Sequence, residues 1–111
     1  MGAPIAYEAR TAAPGGAALT LSYMHDPKGK ASRVGIIACT LASGTQTGSV
    51  SIRYGNSVGS AVEIGNGVFT ANEPSVVIHP GFVIHPGQVI VAVFSSTVAA
   101  GDVCTLTIGG H

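Results

Sequence analysis

Charge is scarce in this chain of 111 residues, because Asp, Glu, Lys and Arg together make up only 9% of it. An average soluble domain carries about a quarter. Five Lys and Arg balance five Asp and Glu, and no cation follows Arg53. The cations therefore all lie in the first half of the chain. This distribution reflects either attraction between oppositely charged ends of neighbouring subunits or chance. Without a basic stripe, we expect no binding to nucleic acid or to an anionic membrane.

Other absences narrow the class of protein further. Tryptophan is missing, and Tyr and Phe number three each, which leaves few aromatic faces for gripping sugars. No apolar run reaches the roughly 18 residues of a membrane span. The start of the chain lacks the basic residues and apolar stretch of a secretory signal. We therefore expect synthesis in a cytosol-like compartment and no membrane attachment.

The only two cysteines, Cys39 and Cys104, each lie within an apolar stretch rather than in a CxxC motif. A cytosolic origin favours buried free thiols over a disulfide or a reactive nucleophile. Oxidation can still join them if both side chains face the core on neighbouring strands, so a disulfide stays open.

Glycine and proline, in contrast, are abundant, and they punctuate the chain too densely for a long helix. Short stretches rich in β-branched residues separate them at intervals of about 8 to 12 residues. This pattern predicts an all-β fold, and we favour a jelly-roll-like sandwich of about eight strands over residues 17–111. Alternation predicts three inward-facing sets: Leu19, Leu21 and Tyr23; Val50, Ile52 and Tyr54; and Cys104, Leu106 and Ile108.

Residues 1–16 are rich in Ala, Pro and Gly and show little periodicity, which predicts an extended N-terminal arm or an edge strand.

Further along the chain, a short strand is expected at residues 58–64. Gly65-Asn66-Gly67 predicts a turn, because these residues tolerate positive φ. A loop is expected at residues 43–48.

Two histidines, His79 and His85, each precede a Pro-Gly pair at a spacing of six residues. Zinc needs at least three protein ligands, and the other histidines lie in a turn and at the chain end. We therefore expect no metal and no other cofactor. The repeat is explained by type II turns, in which Pro and Gly supply the required φ values. Alternatively, His79, Phe82 and His85 line a subunit contact or symmetry axis, where several copies share an ion or titrate together.

No catalytic constellation is apparent. The Ser and Thr residues lie in alternating strands or loops without a nucleophile elbow, and the carboxylates Glu63, Glu73 and Asp102 are scattered. We predict that the protein is not an enzyme.

Several stretches together resemble small bacteriophage capsid decoration, or cement, proteins of the jelly-roll type. They are the Ala/Pro/Gly-rich start before ALTL at residues 18–21, TGSVSIRYG at 47–55, IHPGQVIVA at 84–92 and AGDVCTLTI at 100–108.

This resemblance implies a virion protein that binds the outside of an icosahedral shell, as a homotrimer, and reinforces contacts between copies of the major capsid protein. It would be made in the host cytoplasm. The arm would order against the capsid, and Pro4, Ile5, Tyr7 and Arg10 are the residues expected to make that contact.

Two other classes stay open. A glycan- or receptor-recognition module of a phage tail or spike would use loops around Asn56, Asn66, Asn72 and Glu73. A cupin-like enzyme shares the double-sheet architecture, but it needs a closer His/His/Glu constellation.

Overall fold

The computed structural model describes residues 4–42 and 48–111, which form an all-β sandwich. The expected fold class is confirmed. No helix in these two ranges is long and apolar enough to cross a membrane. The strands are β1 Ile5–Ala12, β2 Leu19–Met24, β3 Ser32–Ala42, β4 Gly48–Gly55, β5 Val62–Phe69, β6 Ser75–Ile78, β7 Val83–Ile84, β8 Val89–Phe94 and β9 Val103–Gly110, with a 3-10 turn at Val58–Ser60.

The strands form two antiparallel sheets. The first has the order β1-β9-β3-β6, with β7 paired to the start of β3, and the second has the order β2-β8-β4-β5. The pairs are nested, since β1 pairs with β9, β2 with β8, β3 with β6 and β4 with β5. Leaving aside the two-residue β7, this is the strand order of an eight-stranded jelly roll.

The core lies between the sheets and follows the alternation of the sequence. Ile52, Phe94 and Leu106 are fully buried, and burying an apolar side chain of this size stabilises the fold by about 1.5–3 kcal/mol. The three inward-facing sets are confirmed, although Leu19, Tyr23 and Tyr54 lie at the core margin and are half-buried.

Of the two interpretations of residues 1–16, an extended arm or an edge strand, the edge strand is the one observed for Ile5–Ala12. Ile5–Ala12 is extended, but it pairs with β9 along its whole length, from Ile5 opposite Gly110 to Ala12 opposite Val103. Ile5 and Ala13 are buried in the core. Residues 5–13 therefore belong to the domain, and their removal would uncover both the core and the edge of β9. Residues 1–3 lie outside the described ranges.

The turn expected at residues 65–67 is wrong, because these residues lie inside β5. A Cβ at Gly67 would come within 2.6 Å of a methyl group of Val76 on β6, and a Cβ at Gly65 within 3.2 Å of Ile78. The glycines are needed for close approach of the two sheets. The strand expected at 58–64 begins only at Val62, and most of the loop expected at 43–48 lies outside the described residues.

Candidate interaction surfaces

The nested pairing gathers all four histidines at one end of the sandwich. This histidine end comprises residues 25–31, 55–61, 79–88 and 111, where β2, β4 and β9 finish and β3, β5 and β8 begin. Lys28 and Lys30 lie there as well, and Arg33 lies next to it, bound to the backbone of His111. The described residues at the opposite end, 13–18, 70–74 and 95–102, include no Lys or Arg.

The opposite end carries two acids, but they differ in exposure. Glu73 is exposed, whereas Asp102 is buried and its Oδ2 has no hydrogen-bond partner. Only one of these carboxylates therefore faces solvent, so the charge sorting amounts to a basic histidine end rather than to two opposite poles.

The four residues expected to contact a capsid lie along β1 in different environments. Pro4 and Arg10 are exposed, and Arg10 forms an exposed ion pair with Glu8 at 2.9 Å. Ile5 is 6% exposed and packs in the core, so it is not available to a partner. Tyr7 is half-buried and joins the two sheets.

Tyr7 closes one flank of the sandwich. Its hydroxyl donates to the carbonyl of Ser22 on β2 at 2.8 Å, and its ring lies 4.9 Å from that of Tyr23. Since β1 and β2 are edge strands of opposite sheets, this contact covers part of the edge of β2.

The turn expected at the first His-Pro-Gly segment is wrong, because β6 before it and β7 after it run in the same direction along β3. Residues 79–82 continue along β3, and Gly81 has a φ of 69°. Its amide donates to the carbonyl of Val34 at 2.9 Å, and its own carbonyl accepts from Arg33 Nη1 at 2.6 Å. His79 is exposed, and its Nδ1 donates to the carbonyl of Gly35 at 3.3 Å. Half-buried Phe82 lies against Tyr54 with ring centroids 4.3 Å apart.

The second His-Pro-Gly segment is bound to the other sheet through Gln88. Gly87 has a φ of 85°, and the Gln88 amide donates to the carbonyl of His85 at 3.1 Å. The side-chain carbonyl of Gln88 accepts from the His85 amide at 2.9 Å and from the Tyr54 hydroxyl. Its Nε2 donates to Asn56 at 3.1 Å. His85 is exposed, and the type II turn expected at this second segment is confirmed.

A buried histidine that sequence reasoning placed in a simple turn is the centre of a polar network. His25 is 3% exposed. Its Nε2 donates to the carbonyl of Lys30 at 2.5 Å, so its Nδ1 accepts from the Tyr23 hydroxyl at 2.6 Å. Burial, followed by the charges of Asp26 and Tyr7, raises the pKa of Tyr23. The network fixes the path of the β2–β3 connection.

The described part of the chain has no group of three or more His, Cys, Asp or Glu that could hold a metal ion. The four polar residues of the recognition alternative are also dispersed. Asn56 lies at the histidine end, Asn66 in the middle of β5, and Asn72 and Glu73 at the opposite end. They do not form one binding site.

The most apolar exposed strand is β5, which sequence reasoning missed. Val62, Ile64 and Val68 are 69%, 39% and 70% exposed. Ile64 and Val68 alternate with the two inward-facing glycines, so they share the solvent face with Asn66. We call Ile64, Asn66 and Val68 the β5 strip. The strip is hard to recognise in the sequence, because Gly65 and Gly67 divide the apolar residues of β5 into two short runs.

Neighbouring groups stabilise the charge of Glu63, the single ionised side chain on β5. Glu63 accepts hydrogen bonds from Ser51 Oγ at 2.6 Å and from Asn66 Nδ2 at 3.1 Å. Arg53 lies opposite Glu63 on β4 and donates to Ser51 at 3.0 Å. These hydrogen bonds, chiefly that from Ser51, and the charge of Arg53 lower the pKa of Glu63.

The two cysteines are free, buried and on adjacent strands. Cys39 lies opposite Leu106 and Cys104 opposite Leu41, so the thiols are diagonal rather than directly paired. Burial raises the pKa of Cys39 to about 12 and that of Cys104 to about 11, with a contribution from Asp102 in the second case. Both are therefore neutral thiols near pH 7.

No protein-family model matches this sequence, and no curated protein matches it in a sequence comparison.

Proposed function

We propose that this chain is a structural virion protein that binds the outer surface of an icosahedral phage capsid and stabilises contacts between major capsid proteins. The proposal includes self-association as a trimer and a location on the capsid surface. It rests on the resemblance to decoration proteins together with the character of the protein's exterior.

The supporting observation is that large apolar side chains are exposed on the surface of this jelly roll, where a domain without partners usually carries charged side chains. Such surfaces are typical of protein contacts. Seven large apolar side chains of the described residues are exposed, namely Met24, Val58, Val62, Ile64, Val68, Val77 and Val83.

The proposed capsid contact is the exposed part of β1, with Pro4, Tyr7 and Arg10. The proposed subunit contact is the pair of His-Pro-Gly segments, with exposed His79 and His85. A trimer that touches three capsid sites gains affinity through effective concentration, even when each contact is weak. Because it binds only the assembled shell, it shifts the equilibrium away from disassembly.

The test is co-sedimentation of the untagged protein with purified capsids assembled from the major capsid protein of the same virus. We expect saturable binding and a higher melting temperature of the shell. R10E should weaken binding, whereas K28E, a matched exposed cation at the histidine end, should leave it unchanged.

Failure to co-sediment, with no change in shell melting, would contradict the proposal. Binding to glycans by the same preparation would instead support a recognition module.

A further inference from the structure

We propose that two copies of this chain pair through the edges of their β5 strands, antiparallel and about a two-fold axis at Asn66. The two four-stranded sheets would then join into one continuous eight-stranded sheet. This inference does not depend on capsid binding.

The first argument is that β5 is the unprotected edge of the sandwich. Natural sheets guard their edges with charges, prolines, short strands or covering groups. Here β1 carries the exposed ion pair of Glu8 and Arg10, and β6 has four residues between Pro74 and Pro80. The edge of β2 is covered in part by Tyr7.

The start of β5 carries the charge of Glu63 and the bulge at Ile64, but residues 65–69 carry no charge, proline or bulge. The strand is eight residues long and, among the described strands, pairs only with β4. Three of its side chains are exposed and apolar. Free backbone groups on such an edge are available to another strand.

The second argument is that the β5 strip is complementary to itself. With the two-fold axis at Asn66, Asn66 faces its own counterpart, and Val68 of one copy lies beside Ile64 of the other, which is the bulged residue of its strand. Each apolar side chain therefore meets an apolar partner, and the two amides can exchange hydrogen bonds. A two-fold contact requires this self-complementarity.

The third argument is charge compatibility. Like charges directly opposite each other destabilise a strand pair. Glu63 is the only charge on β5, and it is bound to Ser51 and Asn66 beside Arg53. The bulge at Ile64 puts Glu63 on the outward face with Ser51 and Asn66. The Glu63 side chains of the two copies lie on opposite sides of the two-fold axis, so the two carboxylates do not face each other. One strand pair buries less than a standard interface, so association is expected to depend on concentration.

The test is cross-linking of the variant N66C under mild oxidation. Cysteines directly opposite in an antiparallel pair lie close enough for a disulfide. The native thiols of Cys39 and Cys104 are buried and contribute little background. We expect a linked dimer of N66C, while S22C, an exposed site on the β2 edge of the same sheet, stays monomeric.

A second substitution tests the register. V68K in the N66C background places a charge against Ile64 of the other copy on both sides of the axis, and should slow cross-linking about tenfold. V77K, at an exposed valine of β6, is the matched control and should not change the rate. Val68 is 70% exposed, so the lysine should not unfold the domain; circular dichroism of each variant verifies this.

Sedimentation of the wild-type protein at rising concentration should approach an even multiple of the monomer mass: two, or six if trimers pair. Equal cross-linking of N66C and S22C, insensitivity to V68K, or a mass fixed at one or three copies would overturn the inference. A linked N66C dimer that ignores capsids would overturn the proposed function alone.

Discussion

The packing of β5 on β6 can be tested by adding a single methyl group. In G67A, the new Cβ would lie 2.6 and 2.9 Å from the two methyl groups of Val76. Forcing extra atoms into a packed interior costs about 1–3 kcal/mol, whereas replacing Gly by Ala returns about 0.4–1 kcal/mol by restricting the unfolded chain. We expect a net loss of about 1–2 kcal/mol.

Urea unfolding is the assay, and with a typical dependence on denaturant the midpoint should fall by roughly 1 M. G59A is the matched control, because a Cβ at Gly59 meets nothing within 4 Å, and its free energy of unfolding should stay within about 0.5 kcal/mol of the wild-type value. In a V76A background the same G67A change should be nearly neutral, since the contacted methyl groups are gone.

The double-mutant cycle should therefore give a coupling of about 1–2 kcal/mol between positions 67 and 76. If G67A is as stable as the wild type, or if V76A does not remove the destabilisation, then Gly67 of β5 does not pack closely against Val76 of β6.

Two further predictions concern ionisable side chains. Because Cys39 and Cys104 have pKa values of about 12 and about 11, neither should react with iodoacetamide in the native protein at pH 8. Both should react in urea, and rapid native alkylation would contradict their burial. Glu63 has a lowered pKa when folded, so its contribution to stability is present above its unfolded pKa of about 4.3 and is lost as the pH falls through the folded pKa. The difference in urea midpoint between wild type and E63Q should shrink in acid, and a difference independent of pH would contradict the hydrogen bonds assigned to Glu63.

Much of the fold can be predicted from the sequence, because its strands are buried on one face and their buried and exposed residues alternate. Ile52 and Leu106 face the core where alternation puts them. The fold class also follows from the density of glycine and proline, which leaves no room for long helices. These signals are local, so one sequence is enough to find them.

The errors arise where one residue type serves two purposes. Glycine at 65 and 67 indicates a turn if its conformational freedom is considered, but here it makes room for Val76 and Ile78 of another strand. That neighbour is supplied by the tertiary fold and leaves no mark near the glycines.

The surfaces were harder to predict than the core. The grouping of the histidines at one end depends on strand register, which brings His25 and His111 close to residues 79–87 from distant positions in the chain. His25 reads as a turn residue beside Asp26 and Pro27, and its burial depends on Tyr23 and on the carbonyl of Lys30. The exposed apolar residues of β5 become one strip only when the strand is seen as continuous.

The pairing of β1 with β9 has a consequence for how the protein is made. Among the described strands, β1 pairs with β9 alone, and the two partners are separated by about ninety residues of sequence. Such distant pairings are slow to form, because the entropy of closing the intervening chain is lost before any contact between the two strands stabilises the structure. During synthesis, β1 leaves the ribosome about ninety residues before β9 does. Its strand pairing can therefore form only after β9 has followed.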